Sequence, residues 1–304
     1  MYDYECSPQE VQNKSDYLFF LAAQRCLRTG DGAFCVSSSV YEPEAMKIAK
    51  EWMKLMGKAW YSVGPLSLPD SLPPTQAHDE QELLVISFLT RMQNKFGERS
   101  VLFISFGTFY WPAQPEKLWA IIDELICLRK PFIFAHTSPL AHVPEEKMKM
   151  ISESGIGIAM SWCPQEKILS HPATGWFVTH GGWNSTQEAL IHRVPVIYWP
   201  FAFDQPYIAA RTCQHNAGFE LIEVRTGERG TQRPYRFQTC TKSPSFRVSA
   251  ARQELKLLLQ RIEGEEGQRV RANFERLGQM IDETWNEGHE ARENLEAFLR
   301  RFVD

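Results

Sequence analysis

Between Trp162 and Gln205 lies a dense set of side chains suited to holding a polar ligand, centred on THGGWNST (Thr179–Thr186). An apolar strand runs into Gly181 and Gly182, which let the backbone approach a ligand closely. The helix that follows turns its free N–H groups and positive dipole end toward the same point. Asn184, Ser185 and Thr186 add neutral donors, and His180 can donate to an anion. Together they outline a diphosphate cradle with neither the lysine nor the magnesium-binding serine of an ATP loop. The competing reading is that Asn184 or Ser185 only caps the helix. Glu188, four residues after Asn184, shares its helix face. A carboxylate there repels phosphate and suits the paired hydroxyls of a ribose, although surface glutamates are common early in helices. Trp162 could stack on a flat base, with the Cys163 backbone reading its edge, or could belong to the core. Asp204-Gln205-Pro206 opens another helix, with Asp204 as N-cap or as a ligand for sugar hydroxyls.

These residues need a frame that brings strand ends together, and the surrounding pattern supplies one. Apolar runs at Val101–Phe106, Pro131–Ala135, Gly157–Met160, Gly175–Thr179, Val194–Trp199 and Glu220–Val224 read as strands. Helical spacing marks Asp79–Gly97, Glu116–Lys130, Pro164–Leu169, Trp183–His192, Gln205–Asn216 and a group from Ser249 onward. Continuously apolar strands alternating with amphipathic helices predict a Rossmann-like, doubly wound α/β domain with a parallel sheet. Such sheets bind ligands beyond the C-terminal ends of their strands. Upstream, Gly32–Val40 reads as a short buried strand and Glu42–Gly57 as a helix. A proline-rich stretch reads as a linker, giving residues 1–62, a linker 63–78, a ligand-binding domain 79–280 and a terminal helical piece 281–304. The basic stretch Arg225–Arg247 reads as a solvated loop.

The 304 residues carry a net charge of −4, so no basic excess points to nucleic acid. The longest apolar runs fall well short of a membrane span. The N-terminus is polar and acidic, unlike a signal peptide. Seven scattered cysteines with no Cys-x-x-Cys pair suggest a reducing, cytoplasmic setting.

Trp162–Gln205 resembles the signature box of the family 1 UDP-glycosyltransferases, which have the GT-B fold. It opens on Trp162, has Gln165 in fourth place, continues HPATGWFVTHGGWNSTQEAL and closes on Asp204-Gln205, 44 residues in all. VLFISFGTFY (Val101–Tyr110) is similar to the first strand and loop of the family's C-terminal domain. GDGAFCVSSSVYEPEAMKIAKEW and VGPL are similar to the end of its N-terminal domain and the linker. The resemblance implies that Trp162 stacks on uracil with the Cys163 backbone pairing to it, and that Gln165 and Glu188 hold the ribose. It places the diphosphate on His180, Gly182, Asn184, Ser185 and Thr108, and the sugar on Trp183, Asp204 and Gln205. The implied reaction is inverting transfer of a hexosyl group, glucosyl for preference, from UDP-sugar to a small lipophilic acceptor, with no metal or other cofactor.

The resemblance also implies a general-base histidine near the start of the N-terminal domain, whereas the first histidine here is His78. The expectation is an incomplete N-terminal domain, no identified catalytic base, and a chain that holds the donor but transfers sugar weakly. His180 would stabilise the leaving group. The apolar face of Glu290–Phe302 would lack most of its partner, favouring self-association. The rival readings are a non-catalytic UDP-sugar-binding module and a dehydrogenase. GIGIA (Gly155–Ala159) lacks the full glycine fingerprint that the latter requires.

Overall fold

The computed structural model describes residues 3–10, 16–66, 76–235 and 243–303. They divide into two compact units: Gln12–Ser71 with Arg276–Asp304, and Met1–Val11 with Leu72–Glu275. Most of the sequence-predicted linker, residues 67–75, lies outside the described residues.

The smaller unit runs α1 (Asp16–Thr29), β1 (Gly32–Cys35), α2 (Pro43–Leu55) and β2 (Ala59–Ser62). Its strands pair in parallel, Gly32 opposite Ala59 through Cys35 opposite Ser62. The predicted buried strand over Gly32–Val40 is shorter than expected and only half-buried, with Phe34 41% exposed. The reason is that among the described residues β1 has β2 as its one strand neighbour, so its pleat is not enclosed. On α2, Met46 and Met53 are buried while Ile48, Trp52 and Leu55 face outward. The chain's last helix belongs to this unit. Its Phe298 ring meets Phe34 and Tyr61 edge-on at 5.1 and 5.5 Å. At its start Glu290 accepts from the backbone N–H and hydroxyl of Ser39 at 3.0 and 2.6 Å. The apolar face therefore has a partner in Phe34 and Tyr61, although Leu299 and Phe302 stay partly exposed.

The larger unit carries α3 (Gln76–Phe96), β3 (Val101–Ser105), α4 (Pro115–Cys127), β4 (Phe132–Ala135), α5 (Glu145–Glu153), β5 (Gly157–Met160), α6 (Gln165–Ser170) and β6 (Thr174–Thr179). It continues with α7 (Trp183–Ile191), β7 (Val196–Tyr198), α8 (Gln205–Gln214), β8 (Gly218–Glu220), α9 (Gly227–Gly230), α10 (Val248–Glu263) and α11 (Glu265–Glu283), within which the boundary of the units falls. The chain ends on α12 (Glu290–Phe302). The sheet has the order β5-β4-β3-β6-β7-β8, every pair parallel. Strands β3, β4 and β6 are buried along their whole length, as apolar strands covered on both faces must be. Phe103 stacks on Phe177 between the central strands at 4.7 Å. On one face Leu118, Ile121, Ile122 and Leu125 of α4 join Leu255, Leu258, Leu259 and Ile262 of α10 in one core.

Two expectations are corrected. The strand predicted over Glu220–Val224 lies instead at Gly218–Glu220. Its neighbour β7 has three residues, and Leu221 N–H to Tyr198 O is the last bond across the pair. The amides of Ile222 and Glu223 then turn to the Glu254 carboxylate. Nor is Arg225 part of a solvated loop: it is 2% exposed and pairs with Glu220 at 2.8 Å. Much of the rest of that stretch, residues 236–242, lies outside the described residues.

Candidate functional site

The chain builds β3, moves outward to β4 and β5, then returns to lay β6, β7 and β8 on the other side of β3. Strand order thus reverses between β3 and β6. In sheets of this kind ligands lie beyond the C-terminal ends of the strands at such a reversal. The loop after β3 carries Gly107 and Thr108, and the loop after β6 carries His180–Gly182.

Two glycines shape the space around His180. A Cβ on Gly107 would stand 2.9 Å from the imidazole Cε1, and one on Gly182 would stand 2.5 Å from Nε2. The ring is thus held between two backbone segments that only glycine allows so close. Gly107 also has φ +70°, and its carbonyl accepts the Thr137 hydroxyl at 2.8 Å. Tyr110 flanks the ring at 5.8 Å and itself packs on Phe201 at 5.3 Å. Burial pushes the His180 pKa down to about 4, so at neutral pH it is a neutral imidazole with one N–H to donate. Thr179 Oγ1 lies 3.4 Å from Nδ1, leaving Nε2 on the Gly182 side.

Gly182 is the N-cap of α7, with no side-chain cap. The reading of Asn184 or Ser185 as a cap is therefore not met. Exposed Asn184 accepts instead from Gln187 at 3.3 Å, and Ser185 is buried. Further along, Gln165 at the start of α6 donates to the Glu188 carboxylate at 2.6 Å and lies 3.4 Å from the Ser185 hydroxyl. Three residues chosen from two separate stretches of sequence thus meet. Burial, with a smaller push from Glu166, raises the Glu188 pKa against the lowering effect of Gln165. Trp162 and Cys163 lead from β5 into α6; Trp162 is half-buried, Cys163 buried. Burial pushes the Cys163 thiol up to about 12, which removes it as a nucleophile.

The third loop, after β7, carries Asp204 and Gln205. Asp204 is the N-cap of α8, yet its side chain makes no cap bond. Its carboxylate takes a backbone hydrogen bond from Trp183 at the start of α7, so the third loop meets the second. Phe203 just before it has φ +59°, a strained conformation for a bulky residue and a frequent mark of functional loops. Gln205 is 2% exposed, and its Oε1 accepts the amides of Phe201 and Ala202 at 2.9 and 3.2 Å. Its oxygen fastens the loop; only the amide nitrogen is left for another partner.

The sequence reading passed over Tyr110, Thr137 and Phe203, which brace this loop cluster. It also missed His136 at the end of β4, whose Nε2 is buried with no partner and whose pKa burial lowers. The alternation of glycine with aromatics in FGTFYW was a signal for Tyr110; nothing local marked the others. Among the described residues, no cluster of three or more His, Cys, Asp or Glu is placed to hold a metal. None of the described helices is long and apolar enough to cross a membrane.

A reversing parallel sheet with a glycine turn feeding a helix N-terminus defines the class as a Rossmann-like α/β domain. Comparison with known proteins narrows the class. Residues 80–230 match the family model described as UDP-glucoronosyl and UDP-glucosyl transferase. A fungal relative, UDP-glycosyltransferase eriJ of Hericium erinaceus, is 30% identical over 98% of this chain and 60% of its own length. The (R)-mandelonitrile beta-glucosyltransferase of Prunus dulcis is 34% identical over 53% of this chain and 35% of its own. A Siraitia grosvenorii UGT solved with UDP superposes with a TM-score of 0.68 at 21% identity, covering 96% of this chain and 61% of that one. Phytolacca americana UGT2, solved with UDP-2-fluoroglucose and pterostilbene, gives 0.68 at 22% identity over 98% and 59%. The chain belongs to the family 1 UDP-glycosyltransferases and has their GT-B fold. It spans about 60% of the length of the fungal relative.

Proposed function

We propose that this chain binds a UDP-sugar at the strand-order reversal, as the donor half of an inverting hexosyltransferase acting on small lipophilic acceptors. The observation that carries the reading is the Gln165–Glu188 pair beside the open N-terminus of α7. A carboxylate held by a neutral amide accepts two ribose hydroxyls, while the helix dipole and the first-turn amides of Asn184 and Ser185 take the diphosphate. Thr108, His180, Gly182, Asn184 and Ser185 complete the phosphate contacts. Trp162 stacks on uracil and the Cys163 backbone reads its edge. Trp183, Asp204 and the free amide nitrogen of Gln205 face the sugar. Glucose is the preferred sugar, in keeping with the glucosyltransferases among the relatives.

As the glycosidic bond to UDP breaks, charge grows on the diphosphate. Neutral His180 and the helix N-terminus stabilise it without a metal. For a polypeptide of this sequence we propose weak transfer, because no histidine precedes His78 to serve as the base near the acceptor. The second reading, a UDP-sugar-binding module without turnover, rests on the same observation. The free cysteines among the described residues suit a cytoplasmic setting.

Calorimetric titration with UDP and with NAD, beside a product assay on phenols and sterols, tests both readings. UDP binding with little product is expected. Absence of UDP binding refutes the donor site, and rapid turnover refutes the missing base.

A further inference from the structure

At the opposite end of the sheet, beneath the N-terminal starts of β3, β6 and β7, is a second polar cavity of about 200 Å³. It is lined by Arg99, Arg193 and Arg271, by His171 and His192, and by Glu98 and Glu275.

The backbone fixes these groups in place. Arg99 has φ +57° and Arg193 φ +59°, left-handed conformations uncommon outside glycine. The Arg99 amide donates to Pro172 O at 2.9 Å, and its carbonyl packs so closely on Gly175 that any Cβ there would collide with it. Arg271 lies over the Trp176 ring at 5.3 Å and donates through Nη2 to Gly175 O at 2.6 Å. Arg193 donates to the carbonyls of Leu190 and Ile191, which neutralises the C-terminal end of α7. His171 Nδ1 accepts the Ala173 amide at 3.1 Å, so the neutral ring carries its proton on Nε2, 3.5 Å from the Thr90 hydroxyl.

Charge in the cavity is incompletely matched. Arg99 approaches Glu275 only to 3.6 Å, beyond a good hydrogen bond. Burial first, and then repulsion from Arg99, hold the Arg271 pKa down to about 10, against the opposing pull of Glu275. Two guanidiniums kept near one another, that of Arg271 partly out of water, favour an anion between them. Planar forks of this kind recognise phosphate oxygens in pairs. The volume exceeds several times the roughly 30 Å³ share of one water, enough for a tetrahedral anion.

We propose that this cavity binds a small phosphate group, either free phosphate or a phosphomonoester, at a site separate from the donor crevice. Arg99 and Arg271 grip the phosphate oxygens.

The test is thermal unfolding against inorganic phosphate, with chloride at matched ionic strength, in wild type, Arg99→Asn, Arg271→Met and His180→Ala. Bound phosphate raises the midpoint by mass action. Arg99 is largely exposed and asparagine tolerates its left-handed backbone, so Arg99→Asn keeps the fold even where Arg271→Met does not. The expected result is a saturable rise in wild type and His180→Ala, with at least tenfold more phosphate needed in Arg99→Asn. Glucose 6-phosphate run in parallel separates the two ligand sources: a phosphomonoester site responds to it at lower concentration than to inorganic phosphate. No phosphate-specific rise in wild type, or an unchanged response in Arg99→Asn, overturns the proposal. Loss of the response in His180→Ala alone would move phosphate to the donor crevice and also overturn it.

Discussion

Replacing Gly182 with alanine isolates the space that His180 needs. The backbone there has φ −60° and ψ 145°, which alanine adopts without strain. Losing glycine as N-cap costs no more than about 1 kcal/mol, so the fold stands. The new methyl, however, would sit 2.5 Å from the imidazole Nε2. Ordinary contact requires roughly 1 Å more, and the ring cannot retreat freely because the Gly107 backbone closes its other side. A displacement of that size carries a hydrogen bond of about 2.9 Å beyond useful range. A hydrogen bond to a charged partner contributes about 1.5–3 kcal/mol, so the UDP dissociation constant should rise roughly 10- to 100-fold. Calorimetry with UDP on Gly182→Ala and His180→Ala, with melting curves as a check on folding, measures this. If Gly182→Ala binds UDP like wild type while His180→Ala does not, the ring has more room than argued. If both bind normally, His180 is not a phosphate ligand.

Glu188→Gln should weaken UDP binding about tenfold and abolish any preference for UDP over its 2′,3′-dideoxy analogue, which titration of both ligands would reveal. The depressed His180 pKa sets a pH dependence: the unfolded chain takes up a proton near pH 6.5 and the folded chain only near 4. Stability is therefore full above pH 6.5 and falls toward pH 4, by at most about 3 kcal/mol from this group. Denaturant titrations across that range should show a shallower slope in His180→Gln. Glu220→Gln leaves the buried Arg225 charge without its carboxylate, and chemical denaturation should register a loss of about 3–5 kcal/mol.

Sequence reasoning reached much of this architecture because its signals are local. The apolar runs at Val101–Phe106 and Gly175–Thr179 can be stable only when covered on both faces, and both are interior strands. The turn at His180–Gly182 announced itself through glycines next to small polar residues. Where a residue's fate depended on a neighbour distant in sequence, the reading failed. Leu221–Val224 looks like a strand, but β7 ends at Tyr198 and Glu254 takes the next two amides. Arg225 looks solvated until Glu220 is folded against it.

The site divides the same way. Residue types and spacing alone pointed to the loop after β6 as a candidate anion turn and placed Glu188 on the helix that follows it, since both readings rest on helix geometry and the absence of a Cβ. Only the tertiary structure decided that Gln165 reaches Glu188 from another helix, that Asp204 meets the amide of Trp183, and that Gln205 spends its oxygen on its own loop. Hydrogen bonds between separate elements depend on how strands are ordered across the sheet. That order is set by the burial of whole faces, which no short stretch of sequence encodes.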